Sequence, residues 1–402
     1  MEKKYDVVAL GEFLIDFTPA GSTDSGMKLF EQNPGGAPVN MLTAVSKAGL
    51  KTAFIGKVGD DMHGNFLIET AKQAGIDTRG IVVDDTVFTT LAFVTLDENG
   101  EREFSFARKP GADTMLCYKE VDAELLRDTK VFHTIHGRAA AVATGAKVAN
   151  PNLTIWQISG DGDGLAIGGN HFIHAVRRNI DLNMILLNNR IYGLTKGQYS
   201  PTSERGFVSK SSPYGTVEDP FHPAELAFGA RGRFFARCIA VDGAASVEVL
   251  KAAANHKGAS VVEVLQNCVI FNDGTHASVA TKEGRAKNAI YLEHGKPMLF
   301  GENKEFGLMQ EGFGLKVVKL GENGVTEKDI LIHDAHCQDN TLQLKLALME
   351  GPDFPIALGV IRDVDAPTYN DAVAEQIEEI KGKKKYHNFQ ELLMTNDTWE
   401  VK

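Results

Sequence analysis

Cysteine is scarce in this sequence. The 402 residues hold four, Cys117, Cys238, Cys268 and Cys337, and no two stand in a Cys-x-x-Cys spacing. That excludes a disulfide scaffold and fits a reducing compartment, so the chain reads as cytoplasmic. A basic excess is also missing. Asp and Glu number 53 against 42 Lys and Arg, a formal net charge of −11, whereas a nucleic-acid partner demands cations to neutralise phosphates. Long apolar runs are absent too: Met1-Glu2-Lys3-Lys4-Tyr5 leads into the amphipathic 6–17, too polar and too short for a signal or transmembrane segment. Nucleic acid and membrane therefore fall away as expected partners. No internal repeat or low-complexity tract occurs. What is present is ordinary globular composition, 43% hydrophobic and 24% charged, in a length that allows two to three domains.

The densest chemical signal lies in the middle. Apolar 153–158 reads as a buried strand, 169–178 as a helix, and 182–187 as a second buried strand. A strand–helix–strand of this length makes neighbouring parallel strands. Between them runs Ser159-Gly160-Asp161-Gly162-Asp163-Gly164, and Asn188-Asn189 closes the second strand. Asp161 and Asn189 are thus expected at the carboxyl ends of adjacent strands, where open α/β sheets bind ligands. Magnesium takes hard oxygen ligands and shares them between protein and phosphate. Asp161 offers a carboxylate, Asn189 an amide oxygen and Ile191 a backbone carbonyl. Gly160 and Gly162 are expected to let the backbone turn sharply and approach a diphosphate.

This segment resembles the thiamine-diphosphate motif in the β subunit of 2-oxoacid:ferredoxin oxidoreductases, especially the 2-oxoglutarate type. The supporting residues are His136-Gly137-Arg138, Gly168-Gly169-Asn170-His171, Tyr192-Gly193-Leu194-Thr195-Lys196-Gly197-Gln198 with Ser200-Pro201-Thr202, and Glu263 to Cys268. The likeness runs from about His133 to near the C-terminus. It implies thiamine diphosphate and Mg²⁺ as cofactors, with Gly160, Asp161, Gly162, Asp163, Asn189, Ile191, Tyr192, Gly193, Leu194 and Thr195 around them. Asp161, Asn189 and Ile191 would hold the metal, and His136, Arg138 and Lys196 are the candidate catalytic residues. The reaction implied is oxidative decarboxylation of a 2-oxoacid to an acyl-CoA. An α subunit, ferredoxin and coenzyme A would be the partners. The family's [4Fe–4S] cluster needs four thiolates. Its opening Cys-Pro-x-Cys-Gly segment and following Gly-Cys-Ser turn do not occur here, which leaves Cys268 as the one residual ligand.

The first third follows another pattern. Strands are expected at 7–10, 52–55, 90–96 and 102–106, and helices at 39–48 and 66–74. Gly56-Lys57-Val58-Gly59-Asp60-Asp61 reads as a turn, and Asp97-Glu98-Asn99-Gly100 as a hairpin turn. Gly11-Glu12 with Asp16, Gly35-Gly36-Ala37-Pro38-Val39-Asn40, 56–61 and Gly64 resemble the N-terminal part of a PfkB-family (ribokinase-like) sugar kinase of fructokinase type. The resemblance implies sugar binding by Asp16, Gly35, Gly36 and Asn40. An Asp accepts hydroxyl protons, and backbone N–H groups at a helix start donate to oxygens. That family's Gly-Ala-Gly-Asp turn, carrying base and anion hole, occurs nowhere in the sequence; Pro110-Gly111-Ala112-Asp113 only mimics it.

The two resemblances meet at Phe132-His133 with no Pro-, Gly- or Ser-rich linker. The expected fold is α/β: an incomplete ribokinase-like half-domain over 1–132, then a thiamine-diphosphate-binding doubly wound parallel-sheet domain over 133–280. A C-terminal extension follows over 281–402. Two rival readings stand beside the oxidoreductase subunit. One is a sugar kinase, opposed by the absent turn; the other is a non-functional fusion with exposed half-sheets.

Overall fold

The computed structural model describes residues 4–96, 102–127, 135–209, 211–383 and 388–394. The chain divides into two compact units, Met1–His133 and Thr134–Lys402. The expected 97–100 turn and the Phe132-His133 join lie outside the described residues.

In the first unit the described strands are β1 (Val7–Leu10), β2 (Leu14–Ser22), β3 (Lys28–Gly35), β4 (Thr52–Gly59), β5 (Ile76–Asp84), β6 (Leu91–Leu96) and β7 (Arg102–Ala107). A parallel sheet runs β1-β4-β5, and a second sheet runs β3-β2-β6-β7. β4 is buried along its whole length because it is the central strand. The expected turn at 56–61 is therefore corrected: the strand continues to Gly59. Asp61 then caps the Met62–Gln73 helix, accepting from the His63 and Gly64 N–H groups at 3.0 and 2.8 Å. Lys57, buried on β4, is satisfied by Asp84 at 2.9 Å and Glu120 at 2.6 Å. Phe13 and Phe54 meet edge to face at 5.4 Å in the core, with Leu42, Val58 and Leu67 around them. The helix expected from Val39 begins at Ala37, since Pro38 fits the first helical turn. Gly36 before it has φ 119°, and a Cβ there would lie 2.5 Å from the Glu12 carbonyl oxygen, so this position requires glycine.

The second unit adds β8 (Trp156–Gly160), β9 (Leu182–Asn188), β10 (Ile191–Tyr192), β11 (Gln198–Tyr199), β12 (Phe234–Ile239), β13 (Ala259–Leu265), β14 (Ala289–Leu292), β15 (Leu299–Phe300), β16 (Phe306–Glu311), β17 (Gly314–Lys319) and β18 (Ile356–Asp363). Its main sheet has the order β14-β18-β12-β13-β9-β8. The four strands from β8 to β12 are mutually parallel; β18 runs antiparallel to β12, and β14 parallel to β18. Strands from the C-terminal third thus extend the sheet that carries the glycine-rich segment. Phe172, Val176, Leu182, Met184, Leu186, Phe228, Phe235 and Val261 share the larger core cluster.

β8 departs from expectation. It spans Trp156–Gly160 and not 153–158, and it is an edge strand. Trp156 and Ile158 are 41% and 66% exposed, while polar Gln157 and Ser159 are buried. Apolar content alone suggested a strand covered on both faces. An edge strand has a neighbour on one side only, and here its apolar side chains face outward.

Two histidines of this unit are buried and neutral. Burial pulls His276 and His333 below the ordinary value of 6.5, against the carbonyl oxygens of Asn188 and Val360 that accept from them. The unfolded chain takes up protons near 6.5 while the folded chain resists them. The stability these sites contribute is therefore full above that value and lost as pH falls through it. Trp156 lies on β8 of this unit, and residues 1–133 hold no tryptophan, so Trp156 fluorescence follows the second unit. Its urea midpoint should fall between pH 7 and pH 5.5, and by less in His333→Gln. An unchanged midpoint would count against neutral burial.

Candidate active site

β8 ends at Gly160, and the chain enters a helical turn at Asp161 without an intervening loop. A π-helical stretch, Asp163–Ile167, leads into the Gly169–Arg177 helix, with the Gly168 N–H donating to the Asp163 carbonyl at 3.0 Å. The expected sharp glycine turn is corrected accordingly. Gly162 has ordinary helical angles, φ −63° and ψ −44°. Its lack of a side chain serves packing: a Cβ would come within 2.3 Å of the Tyr192 ring. Gly160 meets nothing within 4 Å at its Cβ position, so its surroundings are open.

Asp161 is 1% exposed. Its Oδ2 accepts from the Ser200 and Thr202 hydroxyls, each at 2.5 Å. Burial raises its pKa against those bonds and those from its own and the Gly162 backbone N–H. Among the described residues it has no ion-pair partner. Thr202 Oγ1 also lies 3.1 Å from Asn188 Oδ1. Asn188 donates through Nδ2 to Glu263 Oε1 at 2.7 Å, and Arg237 Nε donates to Glu263 Oε2 at 2.7 Å. Burial works to raise the Glu263 pKa, yet the Arg237 charge and the Asn188 bond hold it below the usual range. The Arg237 guanidinium also donates to the carbonyls of Ala347 at 3.0 Å and Ala357 at 3.4 Å.

A second group surrounds Asp163. Its Oδ1 lies 2.7 Å from His136 Nδ1 and accepts from the Gly137 N–H at 2.6 Å. The His136 ring stands 5.9 Å from the Tyr192 ring, and Tyr192 donates its hydroxyl to the Gly162 carbonyl at 2.7 Å. Burial, with Asp161 and Asp163 close by, raises the Tyr192 pKa.

The structure thus gathers His136, Gly160, Asp161, Gly162, Asp163 and Tyr192. Asn189 is half-buried at the end of β9, and its Oδ1 accepts from the Ile191 N–H at 3.3 Å. Arg138 is exposed and meets His171 Nε2 at 3.1 Å, away from the Asp163 cluster's own bonds. Gly193, Leu194, Thr195 and Lys196 form the tip between β10 and β11. Leu194 is fully exposed, and Lys196 has φ 63° with no side-chain bond among the described residues. Ser200, Thr202 and Asn188 matter more to Asp161 than the sequence analysis assigned. The signal available was the pair of hydroxyls two residues apart just past the hairpin.

The residues around Asp161 suit a divalent cation. A buried carboxylate with hydroxyl and amide neighbours and no ion-pair partner among the described residues, beside the Asp163 carboxylate that meets His136, forms a hard-oxygen set. They do not suit an iron–sulfur cluster. Cys238 is buried, Cys268 half-buried, Cys117 and Cys337 exposed, and no group of three metal-binding side chains forms among the described residues.

In the first unit Asp16 is half-buried on β2. A Cβ at Gly35 would lie 2.3 Å from its Oδ2, so glycine there gives the carboxylate its room. Asn40 is exposed on the first turn of the Ala37–Lys47 helix. Asp113, the lookalike base, has a fully buried side chain bonded to Arg108 and the Thr90 hydroxyl. Those partners leave it no free approach to a substrate hydroxyl.

Comparisons with known proteins agree with both halves. Residues 118–264 match the family described as thiamine pyrophosphate enzyme, C-terminal TPP binding domain. Residues 4–158 match the pfkB family of carbohydrate kinases. The chain is 45% identical over 277 residues to the 2-oxoglutarate oxidoreductase subunit KorB of Mycobacterium tuberculosis, covering 68% of this chain and 74% of that protein. It is 50% identical over 141 residues to the 2-oxoglutarate synthase subunit KorB of Archaeoglobus fulgidus, covering 35% of this chain and 53% of the relative, or about half its length. Among solved structures, the 2-oxoglutarate:ferredoxin oxidoreductase of Magnetococcus marinus aligns at 28% identity, 66% of this chain and 75% of that one, with a TM-score of 0.49. The chain belongs to the family of 2-oxoglutarate oxidoreductase KorB subunits, and a pfkB-family segment precedes that part.

Proposed function

We propose that the second unit binds thiamine diphosphate through Mg²⁺ and serves as the β subunit of a 2-oxoacid:ferredoxin oxidoreductase acting on 2-oxoglutarate. The observation that carries this reading is the buried, cation-less Asp161 carboxylate within a stretch that matches the thiamine-diphosphate-binding family. Asp161, the Asn189 amide oxygen and the Ile191 carbonyl would hold the metal. When bound, the cofactor supplies an electron sink for the carbanion left by loss of carbon dioxide. The chain's own residues anchor and orient. Asp163 fixes His136, whose ring lies beside that of Tyr192, itself tied to the Gly162 carbonyl. Gly160 and Gly193, open at their Cβ positions, leave room for the diphosphate, with Leu194 and Thr195 beside them, while Gly162 makes room for the Tyr192 ring. His136, Arg138 and Lys196 are the groups we assign to the substrate carboxylates and proton handling.

An α subunit, ferredoxin and coenzyme A are the partners in this reading. Support comes from relatives named as subunits and as 2-oxoacid:ferredoxin oxidoreductases, and from a solved relative carrying coenzyme A and succinyl-CoA. No described helix is long and apolar enough to cross a membrane, and we place the protein in the cytoplasm. By domain we assign 1–132 to the PfkB fragment, 133–280 to cofactor binding and 281–402 to the extension. Asp16, Gly35, Gly36 and Asn40 are assigned to sugar contact without phosphoryl transfer. No cluster-dependent step is assigned to Cys268.

Calorimetric titration of the purified chain tests the assignment. Thiamine diphosphate with Mg²⁺ should give saturable heat that vanishes with EDTA and weakens by about 100-fold or more in Asp161→Ala. Heat only with fructose and ATP would move the function to the first unit. Silence with both ligand sets would leave the inert fusion.

The uncompensated carboxylate gives a second expectation. Burying a charge without a partner is destabilising. Asp161→Asn should therefore raise the melting temperature of the metal-free protein, by about 2 °C or more, while losing the stabilisation that Mg²⁺ and thiamine diphosphate confer on the parent. A lower melting temperature without metal would contradict the electrostatic account.

A further inference from the structure

Resting on that reading, we propose that Thr202 is a positioning residue for the Asp161 carboxylate. The chain of contacts is continuous: Arg237 Nε to Glu263 Oε2 at 2.7 Å, Glu263 Oε1 from Asn188 Nδ2 at 2.7 Å, Asn188 Oδ1 to Thr202 Oγ1 at 3.1 Å, and Thr202 Oγ1 to Asp161 Oδ2 at 2.5 Å. Four of its members, Arg237, Glu263, Asn188 and Thr202, are 6%, 2%, 3% and 2% exposed, so water does not satisfy them.

The direction follows from which groups can donate. Glu263, held ionised by Arg237, only accepts. Asn188 must turn its NH₂ toward that carboxylate, which turns its carbonyl oxygen toward Thr202. Thr202 has one hydroxyl proton to donate, and of the two acceptors facing it Asp161 Oδ2 at 2.5 Å is nearer than Asn188 Oδ1 at 3.1 Å. Ser200 adds its hydroxyl to the same oxygen at 2.5 Å. Both side-chain donors converge on Oδ2 and leave Oδ1 clear of side-chain competition. A carboxylate pinned by one oxygen presents the other to a cation in a fixed direction, and partners that orient metal ligands in this way are typically worth 10–100-fold in metal affinity.

An alternative account makes Thr202 and its neighbours packing residues, required for the fold and indifferent to metal. The two accounts separate by experiment. Mn²⁺ serves as the probe, with free ion counted by electron paramagnetic resonance at saturating thiamine diphosphate, and thermal midpoints are measured in parallel without metal. Thr202→Val preserves shape and removes the hydroxyl; it should weaken Mn²⁺ about 10-fold or more with little change in the metal-free midpoint. Thr202→Ser should restore affinity to within about 3-fold of the parent. Parent-like Mn²⁺ affinity in Thr202→Val overturns the proposal, as does weakening that Thr202→Ser does not rescue. A parent chain that binds no Mn²⁺ with thiamine diphosphate removes the functional reading itself, and the positioning role with it.

Discussion

A carboxylate held in the interior without a cation is the constraint around which the second unit is arranged. Asp161 lies where β8 gives way to a helical turn, and its environment consists of hydroxyls and backbone amides. Such donors soften the penalty of burial without cancelling it. The surrounding strands are chosen to make this tolerable. β9 delivers Asn188, β13 delivers Glu263, and β12 delivers Arg237, each at or near the carboxyl end of a parallel strand. Glu263 has its own counter-charge; Asp161 does not. Within one connected network, one carboxylate is thus paired with a cation, and the other has no ion-pair partner among the described residues. That contrast separates a structural ion pair from a binding site more sharply than either residue's identity.

Much of this was legible in the sequence because it rested on local pattern. The β8–helix–β9 order, the parallel pairing and the placement of Asp161 and Asn188-Asn189 follow from apolar runs punctuated by glycine and asparagine. The network behind Asp161 was not legible. Arg237, Glu263 and Thr202 are separated by tens of residues, and only the strand order β12-β13-β9 brings them together. Gly162 shows a different limit. Sequence marks it as a position without a side chain, and the usual reason is a special φ. Here the backbone is ordinary, and the reason is a tyrosine ring thirty residues away, which no local pattern encodes. Lys196 and Leu194 show a third. They sit within the motif that names the family, yet the hairpin tip carries them into solvent, since motif membership says nothing about which way a loop residue faces.

The inverted exposure of β8 bears on the chimeric character of the chain. An edge strand with Trp156 and Ile158 outward and Gln157 and Ser159 inward does not follow the alternation expected of a strand whose one free face meets water. Gln157 Oε1 is buried with no partner among the described residues, so the inward face is imperfectly served as well. The aligned part covers 74% of the Mycobacterium relative and about half of the Archaeoglobus one.

The first unit repeats the same logic with a different outcome. Asp16 has the room that Gly35 gives it, and Gly36 holds a backbone angle that only glycine takes easily. Catalysis of phosphoryl transfer depends on positioned charge and a base within reach of the attacking hydroxyl. The one local candidate, Asp113, has a buried side chain committed to Arg108 and Thr90. Recognition elements distributed along strands and turns can survive in a fragment because each is held by its own neighbours. A catalytic constellation cannot, since it exists only when distant segments are brought together. In the second unit the buried Asp161 and the side chains that meet it, Ser200 and Thr202, all lie within residues 134–402 and so within one compact unit.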